Sequence, residues 1–278
     1  PPKPPPPAYV HPSSKPYSTQ SDYVVHLEDD DIDAPPSQPP SSSAGNNTAT
    51  QYSGGLSDPV IRNGFLKKVY SILTVQLLFT GGVCACFSFI DALSQFALDN
   101  WWIIYVMLIP TIILAFTLAC YAKRYPLNMY LLVAFTLSMS FTLGILCGLW
   151  TQNIGGWGVM GAFVCTAFIF VLITIFVMIT KKDFSFLALF LIAGIILVGF
   201  AFFIYWIVSL ATNSVNRWAV FGISLAGSLL MTGWVLYDTS QIVLKYTPDD
   251  YINATITLYT DFINLFQCLL CVIGGASG

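Results

Sequence analysis

Charge is scarce in this chain. Lys, Arg, Asp and Glu make up 9% of its 278 residues and hydrophobic types 56%, whereas an average soluble domain carries about 25% charged residues. So apolar a chain has no polar coat with which to meet water, which excludes a soluble globule and makes lipid its solvent. A basic excess is missing too: the net charge is −3, which gives no footprint for nucleic acid. There is no disulfide framework. Cys84, Cys86, Cys120, Cys147, Cys165, Cys268 and Cys271 all fall inside apolar runs and read as small hydrophobes. Cys268 and Cys271 have C-x-x-C spacing, but no second Cys or His pair completes a metal site. No cofactor is expected. An apolar leader is also missing: the chain opens at Pro1 on a proline run, so its start reads as trimmed or incomplete, and the first span is expected to act as the targeting signal.

Two regions are present. Residues 1–58 are rich in Pro, Ser, Asp and Asn and read as a disordered cytosolic tail. Pro6-Pro7-Ala8-Tyr9 has the P-P-x-Y form that docks on WW domains as polyproline II; the competing explanation is chance within a proline run. Glu28-Asp29-Asp30-Asp31-Ile32-Asp33 reads as a solvated acidic stretch. Asn46-Asn47-Thr48 matches a glycosylation sequon that a cytosolic tail would leave unused. Residues 59–278 are expected to form the transmembrane domain.

Within it, seven apolar stretches lie at about 69–90, 101–122, 127–149, 157–180, 184–210, 218–244 and 251–273, each near the ~20 residues that cross ~30 Å of hydrocarbon. Helices satisfy the backbone there and open strands do not. The fold class is therefore an all-α membrane protein with seven transmembrane helices. Pro110 inside the second predicts a kink. Arg62, Lys67, Lys68, Lys123, Arg124, Lys181, Lys182 and Lys245 alternate onto one side, joined by Lys3 and Lys15, while the other side has only Arg217. This asymmetry places the N-terminus in the cytosol.

Asp238 in the sixth span and Asp261 in the seventh are carboxylates at membrane depth, where an ionisable group costs several kcal/mol and normally faces a bundle interior or a water path. Each lies roughly 10–15 Å from the end of its helix at 1.5 Å per residue, and the short connection 246–250 makes the helices antiparallel neighbours, so the two can meet. Gln241 stands at i+3 from Asp238, Asn264 at i+3 from Asp261 and Thr257 at i−4 from it, giving each Asp a supporting polar stripe. Two carboxylates in one low-dielectric site cannot both ionise cheaply. They hold one proton between them, titrate in two coupled steps, and can act as a pH sensor whose opening exposes an oxygen-lined path for cations. Separate satisfaction of each Asp, without function, is the competing explanation.

The residues around the pair carry a resemblance. Leu236-Tyr237-Asp238-Thr239-Ser240-Gln241-Ile242, then Asp250-Tyr251-Ile252 and Leu258-Tyr259-Thr260-Asp261-Phe262-Ile263-Asn264-Leu265-Phe266, resemble the C-terminal signature of the transmembrane Bax-inhibitor-motif family. Arg62-Asn63-Gly64-Phe65-Leu66-Lys67-Lys68-Val69-Tyr70 through Gln76-Leu77-Leu78, with the Pro-rich tail, is similar to its Lifeguard branch. The resemblance implies six helices around a central seventh and a two-aspartate pH sensor at Asp238 and Asp261. It also implies a calcium leak across an intracellular membrane and suppression of cell death together with apoptosis regulators; no retention signal picks the membrane, and ER or Golgi and endosomal residence is expected ahead of the plasma membrane. Calcium would be a permeant ion held weakly at Asp238 and Asp261, because tight sites need six to eight oxygens. In bacterial relatives an arginine near the cytosolic end of the second helix contacts the pair. The matching position here is Lys123, with Arg124 beside it, as a candidate cytosolic lock; lysine lacks arginine's bidentate fork. Two other functions compete. An adaptor would act through the tail and transport nothing. An intramembrane aspartyl protease would use Tyr237-Asp238, but its second motif needs G-x-G-D and Tyr259-Thr260-Asp261 has no glycine, so no enzyme is expected.

Overall fold

The computed structural model describes residues 59–212, 214 and 216–276. The P-P-x-Y element with Pro6, Pro7 and Tyr9, the acidic run and the tail sequon lie outside the described residues. Among those described there is no strand. The helices are α1 (Pro59–Phe89), α2 (Asp91–Asp99), α3 (Ile103–Tyr121), α4 (Leu127–Thr180), α5 (Leu187–Thr212), α6 (Arg217–Leu244) and α7 (Tyr251–Ala276), with a 3-10 turn at Pro248–Asp250 before the last. All but α2 are long and apolar enough to cross a membrane.

One of these six is two spans. Helix α4 has 54 residues and would be about 80 Å long if straight, far more than the ~30 Å of hydrocarbon. It breaks at Gly155, whose φ of 72° and ψ of 161° belong to a region that essentially only glycine enters. Contacts with α1 show the reversal. Gln76 bonds Thr136, Thr80 meets Ser140, and Phe87 lies where a side chain on Gly144 would be. Residues 127–154 therefore run parallel to α1. Beyond the break, Gly156 abuts Ser88 and Phe163 abuts Gly81, so 156–180 runs back. The chain thus makes seven spans.

The seventh is central. On α7, Leu258, Tyr259, Phe262, Ile263, Leu265, Phe266 and Leu270 are all buried, because neighbouring helices enclose it. Its rings pack edge-on against Phe135, Phe163 and Phe170 from both halves of α4. Helices α1 and α6 complete the inner layer. Helix α3 packs on α4 and α5 on α6 as an outer layer. On α5 only Leu191 is buried, and residues such as Leu189, Phe190, Ile196 and Phe200 are exposed to what a bilayer would fill with acyl chains.

Several boundaries differ from the sequence expectation. Helix α1 begins ten residues ahead of the expected span, since Phe65 and Leu66 still have core partners. The stretch after α1 forms α2, a short helix with Ser94 and Ala97 buried. Helix α5 starts at Leu187 rather than 184 because Asp183 accepts from the backbone of Ser185 and holds the chain in a turn. Helix α3 continues through Pro110, where Thr111 links it to Ser138 of α4 at 2.6 Å. Exposed Trp101, Trp102, Trp157 and Trp218 mark one end of the bundle, as interfacial anchors do. Lys68, Lys123 and Lys245 gather at the other.

Candidate functional site

Asp238 and Asp261 are brought together at the interface of α6 and α7. Their carboxyl groups lie close enough to interact directly. Asp261 is only 9% exposed, and its Oδ2 has no hydrogen-bond partner among the described residues; Asp238 is half-buried. A bare carboxylate oxygen in a dry site is costly, and a shared proton is the cheapest relief that two facing acids have.

The supporting residues are placed differently from the sequence expectation. Gln241 turns to the loop between α4 and α5, where its Nε2 donates to Ser185 Oγ at 3.0 Å and Asp183 Oδ1 at 3.2 Å. Thr257 turns toward the hydroxyl of Tyr246, which also lies near Asp238. Asn264 is half-buried. The Lys123 ammonium reaches Asp250 at 3.1 Å. Asp250 precedes Asp261 by eleven residues, or about 16 Å along the helix, so this lysine ties α3 to the start of α7 and not to the acid pair. Arg124 lies over the Tyr121 ring.

Sequence reasoning missed a second polar seam. Thr80, Ser140 and Tyr259 form a fully buried hydroxyl cluster with contacts of 2.8 and 2.9 Å, and Gln76 donates to Thr136 at 2.7 Å one turn away. Two i, i+4 polar pairs, 76/80 and 136/140, were the available signal, but spacing alone does not say that they face each other. Among the described residues no group of three or more His, Cys, Asp or Glu could hold a metal ion, and all seven cysteines are thiols.

Six spans enclosing a central seventh, with an acid on that helix facing an acid on its neighbour, define a multi-pass α-helical membrane protein whose buried charge chemistry is concentrated in one pair. Residues 62–278 match the family described as "Inhibitor of apoptosis-promoting Bax1", and the chain belongs to that family. Its relatives include the "Golgi anti-apoptotic protein" of Vaccinia virus, 34% identical over 76% of this chain and 84% of the relative. "Protein LIFEGUARD 1" of Arabidopsis thaliana is 32% identical over 80% and 93%. "Protein lifeguard 4" of Mus musculus is 34% identical over 76% and 84%. These names bear out the resemblance to the Lifeguard branch.

Proposed function

We propose that this protein is a non-enzymatic, pH-sensitive calcium leak of an intracellular membrane, with a role in restraining cell death. Its lysine-rich end faces the cytosol, as the distribution of basic residues favours. The observation that carries the reading is the contact between Asp238 and the buried Asp261 on the central helix. With one proton between them the acids hold α6 and α7 together. Loss of that proton sets two like charges against each other in a low dielectric, parts the helices and opens an acceptor-lined path. The pair offers at most four carboxylate oxygens, fewer than the six to eight of a tight calcium site, which suits passage rather than storage. The anti-apoptotic name of the viral relative supports the cellular role and a Golgi-type residence.

The test is calcium efflux from liposomes holding the purified protein, between about pH 6 and about pH 8. Wild type should change with pH by at most about tenfold per unit, the limit for one proton. Asp238→Asn and Asp261→Asn should flatten that dependence. A wild-type profile in both variants removes the pair as the sensor.

A further inference from the structure

We propose that the Lys245 ammonium is a tethered plug at the cytosolic mouth of the acid pair, seated in an oxygen-lined site of Asp183 and Ser185 that a permeating cation would otherwise use. The inference rests on the leak reading and adds its exit gate.

The geometry begins on α6. Asp238, Gln241 and Lys245 stand at i, i+3 and i+7, within about 60° of one another around the helix. Gln241 is about 4.5 Å, and Lys245 about 10 Å, nearer the lysine-rich end than Asp238. A route along this face from Asp238 to water therefore passes both. The loop joining α4 to α5 lies across it. Lys245 Nζ donates to Ser185 Oγ at 2.6 Å and pairs with Asp183 Oδ2 at 2.9 Å. Gln241 Nε2 donates to the same two residues. Ser185 in turn donates its backbone N–H and its hydroxyl to Asp183 Oδ1. Phe184, between them, packs on the core and on the rings of Phe176 and Phe186, so the loop is anchored.

The chemistry of the site is that of a cation held by oxygens. A carboxylate and a hydroxyl meet a positive charge at ligand-like distance, and the charge is supplied by the chain itself. A divalent cation arriving from the pair meets the ammonium head-on and is repelled until Lys245 swings aside. Both partners are nearly half exposed, at 49% and 45%, and an exposed pair is weak, so the plug is easily withdrawn.

The experiment measures calcium efflux from liposomes with the full chain. Lys245→Gln should raise the leak roughly two- to fivefold, the range of an exposed ion pair, while Lys245→Arg should stay at the wild-type level. The exchange Asp183→Lys with Lys245→Asp should return the leak to the wild-type level. An unchanged or lower leak in Lys245→Gln overturns the plug, as does an exchange variant that stays leaky. If wild type carries no calcium at any pH, the leak reading itself fails, and a second measurement still decides the gate. A membrane-impermeant thiol reagent applied from the lysine-rich side should modify Asp238→Cys faster when Lys245→Gln is also present, counted above the native cysteines. Equal rates would reject a plug whatever the ion flux.

Discussion

Tyr259 and Asp261 are two residues apart, and so about 200° apart around α7. Tyr259 faces α1 and α4, where its hydroxyl meets Thr80 at 2.9 Å, and Asp261 faces α6. The hydroxyl cluster thus sets the rotation of the central helix that presents Asp261 to Asp238. Interhelical hydrogen bonds in bilayers average about 0.6 kcal/mol and reach about 1.7. A double-mutant cycle of Thr80→Val and Tyr259→Phe, read by unfolding in detergent, should give a coupling in that range; zero coupling would mean the contact is incidental. Lys123→Ala should cost at most about 1 kcal/mol, as exposed pairs do. It should leave the pH midpoint of the proposed leak in place, because this lysine engages Asp250 rather than the acid pair.

Among the elements, the α4 hairpin depends on two adjacent glycines. Gly155 supplies the left-handed backbone of the turn. A Cβ on Gly156 would come within 2.7 Å of the Ser88 carbonyl oxygen, which is backbone and cannot move aside. Gly155→Ala should therefore cost about 1–3 kcal/mol through strain. Gly156→Ala should cost about 1–3 kcal/mol by forcing the two helices apart. Both are measurable as earlier thermal unfolding in micelles. The loop from α4 to α5 behaves differently toward pH. Ser185, then Lys245, hydrogen-bond the Asp183 carboxyl and hold it well below the usual carboxylate range. A group lowered on folding contributes above its unfolded value of about 3.9 and loses that contribution only as pH falls beneath it. The clamp is therefore constant from about pH 5 to about pH 8. On the proposed leak reading, Lys245→Gln should raise calcium efflux there and leave its pH midpoint unmoved. A shifted midpoint would bring the clamp into the sensor.

At the scale of the whole molecule, orientation is the simplest prediction. A sequon appended after residue 276 should be glycosylated in microsomes, and Asn46 should remain bare; the reverse pattern would invert the topology and move Lys245 and Asp183 to the lumenal side. Most of the architecture was legible beforehand. Hydropathy marks each span because bilayer thickness fixes its length, and the alternation of basic loops counts the spans independently. That count even separates the two halves of α4, which hydrogen bonding alone joins into one 54-residue helix. The approach of Asp238 to Asp261 was also legible, since a five-residue connection makes their helices antiparallel neighbours.

The sequence by itself determined what must lie in lipid, how many times the chain crosses it, and which two acids lie at membrane depth. Those are properties of single segments in a fixed solvent. Only the tertiary structure decided which way each side chain turns: Gln241 to Asp183, Thr257 to Tyr246, Lys123 to Asp250, and Tyr259 to Thr80. Such partners lie as many as 179 residues apart. Their pairing depends on the rotation of whole helices, which packing against neighbours fixes and no local periodicity encodes.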